Sequence, residues 1–440
     1  MTPGHAQVAE LFSARATIER WLRFEIALAR VEADHAIIPA AAADAIAAVG
    51  VDDLDLEEIA RGAQRSRHAV VPFVRALSRA AGSHGEYVHW GSTSQDVMDV
   101  GKVLAVREAD ILMDSALTRL LTALAELADR HRSTLMPGRT AGQFATPITF
   151  GGKVAGWADE VLREMQAFDG VRSIVLTGQL GGTTGQHAVF GSLGPAIRDE
   201  VCTRLGLTAP LVTWHTSRDR FVRWAFHCAM VAGALGRIAA EIMNLQRSEI
   251  AELAEPFDSL QVGSSAMPHK RNPTITATLM ASVSMVEAEF GAALSTWRGL
   301  HERDKSQFGV EDEYLPSITT RTLDQIPQLI HVVENLGVDA EAMSRDLDRD
   351  GRTVWSEMLL YHVAQTHGRA TAHELIRNAS GAWRPGRDLP RILAADAAIA
   401  PAVIPDVLPD QQTRDRILAA GAAVVDRVLA EIRDHVRGKQ

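Results

Sequence analysis

The stretch FVRWAFHCAMVAGALGRIAAEIMNLQRSEIAELAE, residues 221–255, contains no proline from end to end. At about 1.5 Å per residue, a continuous helix of this length spans roughly 50 Å, more than one ordinary globular layer. Upstream, Leu117, Leu120, Leu121, Leu124 and Leu127 recur at three- and four-residue steps with charges between them, which predicts one long amphipathic helix from about Arg107 to His131. Two more long helices are expected, over about 152–176 with an interruption near Gly170, and over about 274–302. Helices this long must bury their apolar faces on one another or on partner subunits. Strand signals are sparse. The expected fold is therefore all-α, with a central long-helix bundle in a homo-oligomer. Breaks near Gly101 and Gly351 divide the chain into an N-terminal helical domain (1–101), the bundle (102–350) and a C-terminal helical domain (351–440).

Composition narrows the function. The 440 residues carry 45 Lys+Arg against 55 Asp+Glu, a formal net charge of −10, and the one basic run is His269 to Arg271. Nucleic acid is not an expected partner. The two cysteines, Cys202 and Cys228, have no metal-ligand spacing and cannot frame a disulfide scaffold, so no metal site is expected and a reducing cytoplasm fits. No run reads as a membrane span of roughly 18 apolar residues, and the N-terminus mixes charge with apolar residues. The expected location is cytoplasmic, with no membrane partner.

Chemistry concentrates in polar, glycine-punctuated segments between the helices: HWGSTSQDVMD (89–99), MPGRTAGQFATP (136–147), TGQLGGTTGQH (177–187) and, most densely, GSSAMPHKRNP (263–273). Helix ends with free N–H groups and nearby hydroxyls suit carboxylates. Singly, each segment also reads as caps or turns: Ser92, Thr93 and Ser94 suit a helix N-cap, and Gly181 to Gly185 suit a turn.

Taken together and in order, GSSAMPHKRNP and these segments resemble the fumarase/aspartase superfamily over roughly residues 10–320. The resemblance is strongest to the branch of 3-carboxy-cis,cis-muconate cycloisomerase and adenylosuccinate lyase. HWGSTSQDVMD, WHTSRDR (214–220) and SSAMPHKRNP look more like the cycloisomerase, whereas LQRSEI (245–250) and HERDKS (301–306) look more like the lyase. The resemblance implies a three-domain helical protomer, a homotetramer with active sites shared between subunits, a small dicarboxylate substrate, and no cofactor. It also implies anti elimination or addition through a dianionic aci-carboxylate. In this reading Ser264 is the base, Lys270 favours its alkoxide and binds the substrate carboxylate, and Asn272 adds a hydrogen bond. Ser92, Thr93 and Ser94 hold the adjacent carboxylate. Arg139, Thr140, Gln179, His215 and Arg303 hold the other carboxylate or the leaving group, undivided between these tasks. His68 and His89 match histidines near the lyase site but equally suit structural roles, and Arg271 is left without a role.

Departures from the pattern bear on the substrate. Where adenylosuccinate lyases read GRTHGxHA, this chain reads GRTAGQFA, so Ala141 and Phe144 stand in place of two histidines, the first of which helps to protonate the departing amine. General acid catalysis contributes roughly 10²–10⁴-fold, which argues against adenylosuccinate. Asp312 stands where that lyase has an arginine that looks like a phosphate contact. The cycloisomerase pattern also departs at Ala141, Phe144 and Ser217. The expected function is β-elimination from a small 2-substituted succinate to release fumarate, with nitrosuccinate giving fumarate and nitrite ranked first. Cycloisomerase activity is the alternative, and a catalytically inactive structural homologue the reading from a different class.

Overall fold

The computed structural model describes residues 5–257, 266, 267, 269–306, 308–381, 387–395, 399 and 410–438. The elements that matter here are α1 (Ala14–Asp34), α2 (Ser94–Arg130), the strands β1 (Leu135–Thr140) and β2 (Gln143–Thr149), α3 (Phe150–Asp169), α4 (Asp219–Leu245), β3 (Leu253–Ala254), α5 (Thr274–Ser295), α6 (Phe308–Glu334), β4 (Gly337–Val338), α7 (Ala340–Leu347) and α8 (Gln411–Gly438). The fold is all-α, with only short antiparallel strand pairs, β1 with β2 and β3 with β4. Two compact units result, one of Met1–Ala116, Glu164–Gly233 and Ala281–Pro327, the other of Leu117–Arg163, Ala234–Met280 and Gln328–Gln440.

In the first unit, α1 lies against the start of α2. Trp21 covers Gly101, where a Cβ would come within 2.8 Å of the indole, and packs in a tilted contact on Phe73, with ring centroids 5.6 Å apart. The expected break at Gly101 is therefore corrected: α2 runs straight through, and glycine is there because the indole leaves no room for a side chain. Nearby, Arg20 pairs with Glu108 at 2.6 Å. This contact places the inward face of α1, with Glu25 and Glu32, in the protein interior. Both glutamates are 1 % exposed.

In the second unit, the five leucines from Leu117 to Leu127 are all buried, at most 2 % exposed. The β1–β2 hairpin follows, closed by Ala141 and Gly142, whose φ values of 49° and 74° make a two-residue turn of the primed type. The break expected near Gly170 is present, with α3 ending at Asp169. The helix expected over 221–255 ends instead at Leu245. There the chain turns, with Ala251 at φ 54°, so that Gln246 Oε1 can accept from the Glu255 N–H at 2.8 Å and Leu253–Ala254 can pair with β4. The helix expected over 274–302 stops at Ser295. Helix α6 carries Pro316 and Pro327.

The expectation that no segment approaches a membrane span was too strict. Both α4 and α5 contain an 18-residue window of membrane-like mean hydropathy, 1.3 and 1.2, but half of the α4 window is buried in the protein. Only 22 % of the α5 window is buried, and Met280, Met285 and Leu294 on that helix are exposed.

Glu32 is an isolated buried carboxyl. Among the described residues neither oxygen has a hydrogen-bond partner, and burial, reinforced by the charge of Glu25, pushes its pKa up to about 9. A carboxyl whose folded pKa lies above its unfolded value holds its full stability below the unfolded pKa and loses it as pH rises toward the folded one. Glu32→Gln is therefore expected to flatten the decline of the thermal midpoint between about pH 5 and pH 9, where the native carboxyl costs up to about 1.4 kcal/mol per pH unit. Calorimetric melts across that range check this, and an unchanged slope would contradict it.

Candidate active site

In the first unit the site is built on the N-terminus of α2. Thr93 caps the helix: its backbone N–H donates to Asp96 Oδ2 at 3.0 Å. The same oxygen accepts from the Gly182 N–H at 3.0 Å, and Asp96 Oδ1 pairs with His215 Nε2 at 2.8 Å. One fully buried carboxylate thus joins the helix start, the glycine-rich loop and the WHTSRDR segment.

One turn on, Asp99 accepts two bonds from Arg218, at 2.9 and 2.8 Å, and Arg218 reaches Glu311 of α6 at 2.9 and 2.6 Å. Lys102 closes the set on Glu311 at 2.8 Å. Two cations and two anions share this buried space, so the net charge taken out of water is zero. Burial works against Arg218, but the facing carboxylates outweigh it and raise its pKa. For Glu311 the charges of Lys102 and Arg218 outweigh burial and hold its carboxyl below the ordinary range.

This network decides which expected residues remain free for a ligand. Gln179 does not: its Nε2 donates to Asp99 at 2.6 Å and its Oε1 accepts from the Trp214 N–H at 2.6 Å, in a fully buried position. Its role here is to align the loop. His215 is 3 % exposed, with Nε2 held by Asp96, and borders a cavity of about 470 Å³ lined also by Thr184, His187, Arg198, Thr216 and His301. Ser92, Thr93 and Ser94 are partly buried at the helix start. Arg303 Nη2 donates to Thr93 Oγ1 at 2.8 Å and to the Thr183 carbonyl at 3.2 Å.

Four basic groups gather around these hydroxyls. His89 Nδ1 lies 2.6 Å from Glu25 Oε1 and 2.9 Å from Ser92 Oγ. His68 is kept below its ordinary pKa by burial, then by the charges of Lys305, Arg303 and His89. It is thus a neutral imidazole whose Nδ1 accepts from the Val71 N–H at 3.4 Å, which leaves Nε2–H as the donor. Hydroxyls beside Arg303, Lys305 and two histidines make a seat for a carboxylate. The two histidines left open in the sequence lie in this cluster. Glu25, Lys305 and the Arg218 network were missed, because their partners are 64 to 200 or more residues distant and no local spacing reveals them.

In the second unit the expected residues form two groups. Arg139 makes a two-bond pair with Glu252, 2.8 Å each, with Phe144 stacked at 5.3 Å from its guanidinium. Burial raises the pKa of Glu252, against the pull of Arg139. Arg139 therefore meets any ligand as half of an ion pair. Thr140 is exposed at the end of β1, next to the hairpin turn that carries Ala141. Lys270 and Asn272 are exposed and line a cavity of about 520 Å³ with Met243, Gln246 and Arg247. Arg271 stacks on Phe257 at 5.0 Å, which gives it a packing contact. Ser264 lies outside the described residues. Among the described residues no group of His, Cys, Asp and Glu is arranged to hold a metal ion.

This all-α scaffold gathers hydroxyls and basic side chains at the start of its longest helix. A family model described as "Lyase" matches residues 6–286. The chain is 35 % identical over 437 residues to an N-acetyl-S-(2-succino)cysteine lyase of Dickeya dadantii, covering 97 % of this chain and 94 % of that protein. It is also 35 % identical over 432 residues to a 3-carboxy-cis,cis-muconate cycloisomerase of Pseudomonas aeruginosa, with the same two coverages. The crystal structure of the 3-carboxy-cis,cis-muconate lactonizing enzyme from Pseudomonas putida superposes with a TM-score of 0.87 at 32 % identity, over 99 % of both chains. The chain belongs to this lyase family, within the fumarase/aspartase superfamily.

Arg303→Met is expected to weaken succinate binding by on the order of 10–100-fold, the size of a lost charge-assisted hydrogen bond, with the thermal midpoint little changed. Titration calorimetry checks it, and unaltered affinity would remove Arg303 from the site.

Proposed function

We propose that the enzyme is a fumarate-releasing lyase for a small 2-substituted succinate whose leaving group departs as a stable anion, without a proton from the protein. One observation carries this reading: Ala141, in the hairpin turn, and Phe144, packed on Arg139, have no proton to give where related lyases place histidines. Ser264 abstracts the proton from the carbon that bears no leaving group. Lys270, Asn272 and the hydroxyls of Ser92, Thr93 and Ser94 stabilise the aci-carboxylate that develops next to it. Arg303, His215, Thr140 and Arg139 hold the second carboxylate and the departing group, and Gln179 aligns the loop beside them. No metal or organic cofactor enters the proposal.

Nitrosuccinate meets the leaving-group condition most fully, since nitrite is a weak base that needs no proton to leave. A second reading is favoured by two observations. One is the resemblance to enzymes named for N-acetyl-S-(2-succino)cysteine. The other is the cavity of about 470 Å³ beside His215, far roomier than a nitro group requires and of the size that accepts larger ligands. A thiol, with a pKa near 8.5, also leaves as its anion, far more readily than an amine. The family resemblance leads us to propose a cytoplasmic homotetramer of three-domain protomers with active sites completed by neighbouring subunits, and the exposed apolar residues of α5 support burial of that helix against another subunit.

The test follows products from nitrosuccinate, N-acetyl-S-(2-succino)cysteine, adenylosuccinate and 3-carboxy-cis,cis-muconate in parallel. The expected outcome is fumarate, formed together with nitrite or thiol, and abolition of turnover by Ser264→Ala with substrate binding and oligomeric state retained. Lactone from the muconate alone would make the protein a cycloisomerase and overturn the leaving-group argument. Turnover that survives Ser264→Ala would remove that serine as the base.

A further inference from the structure

Glu25 and Glu32 stand two turns apart on the same face of α1, equally buried, yet among the described residues only Glu25 has a hydrogen-bond partner. That partner, His89, has φ 65°, a left-handed backbone that a non-glycine residue adopts at a cost and that marks functional positions. We propose that Glu25 is a positioning residue for the carboxylate seat: by holding a proton on His89 Nδ1 it leaves the Ser92 hydroxyl, and in the doubly protonated ring also the His89 Nε2–H, available to the substrate.

The argument is one of donors and acceptors. A carboxylate only accepts, so the 2.6 Å contact between Glu25 Oε1 and His89 Nδ1 requires the hydrogen to sit on that nitrogen. Ser92 Oγ is 2.9 Å from the same nitrogen. With Nδ1 protonated, the serine oxygen can only accept there, and its own hydrogen is directed elsewhere. Without Glu25 the tautomer with a bare Nδ1 becomes accessible. The Ser92 hydroxyl then donates to the ring and is lost to an anion.

Charge works in the same direction. Burial opposes a charged His89, but Glu25 from α1, by its charge and its hydrogen bond, and then Asp96 from α2 outweigh it and raise the His89 pKa. On the other side His68 is neutral, and the cations Arg303 and Lys305 approach it from the segment before α6. Glu32, further along α1, holds its proton at neutral pH and adds no charge. Glu25 therefore favours the charged form of His89 in a cluster that already holds the cations Arg303 and Lys305, an arrangement useful to a dianion and otherwise repulsive. The inference rests on reading this pocket as a dicarboxylate seat.

The experiment measures fumarate binding by calorimetry from pH 6 to pH 9 for the full-length protein and for Glu25→Gln, Ser92→Ala and the double variant, with the His89 ring followed by NMR. Wild-type affinity should hold through neutral pH. In Glu25→Gln the deficit should be smallest near pH 6 and grow to at least tenfold by pH 8, with the His89 midpoint displaced to lower pH. Ser92→Ala should weaken binding in the wild-type background and change little in Glu25→Gln. Equal weakening at every pH, additive losses in the double variant, or an unmoved His89 midpoint would overturn the proposal. If Glu25→Gln does not fold, Ser92→Ala alone decides, since unchanged affinity means that the hydroxyl was never free. If wild type binds no fumarate, the dicarboxylate reading fails instead, and the His89 midpoint still judges Glu25.

Discussion

Arg218, 1 % exposed, sits between Asp99 and Glu311 with Lys102 beyond, and the first unit is organised around it. Removing one member of such a set leaves an unpaired buried charge, at a cost of about 3–5 kcal/mol. That penalty is what fixes the WHTSRDR segment against α2 and α6. With it come Trp214, whose backbone N–H holds Gln179, and His215, held by Asp96. The network touches no ligand in the proposed mechanism, yet it places the groups that do.

The cluster at the start of α2 presents hydroxyls, a guanidinium, an ammonium and two imidazole rings. Such a surface favours a substrate that gains negative charge during reaction. In the second unit, by contrast, the hairpin that carries a histidine in related lyases carries alanine and phenylalanine, and its arginine is tied to Glu252. The first unit's cluster is thus rich in anion stabilisation, and the second unit's hairpin has no proton to give a leaving group. That imbalance is the physical basis for the proposed substrate class.

The long helices were legible because their apolar periodicity is local: Leu117 to Leu127 were read as one buried stripe and are one. Their ends were less so. The turn after Leu245 depends on Gln246, Glu255 and the β3–β4 pairing, none of which interrupts the helical pattern. The β1–β2 hairpin was hidden by Pro137 and Pro147, which face each other across it. Helix α6 was hidden by Pro316 and Pro327, which read as helix breakers although the helix runs through both. In the site, Ser92, Thr93 and Arg303 could be found from their motifs. The commitment of Gln179 and Arg139 to Asp99 and Glu252 could not, because it depends on partners far along the chain.

The central claim is that elimination proceeds without a protein acid on the leaving group. The most direct measurement is kcat/KM for a series of 2-substituted succinates whose leaving groups span nitrite, thiols of graded acidity and an amine of similar size. The account predicts a steep fall with leaving-group basicity, with the amine at least a hundredfold below the least basic thiol, the range a missing general acid commands. Equal rates for thiol and amine would show that the protein supplies the proton after all, and would contradict it.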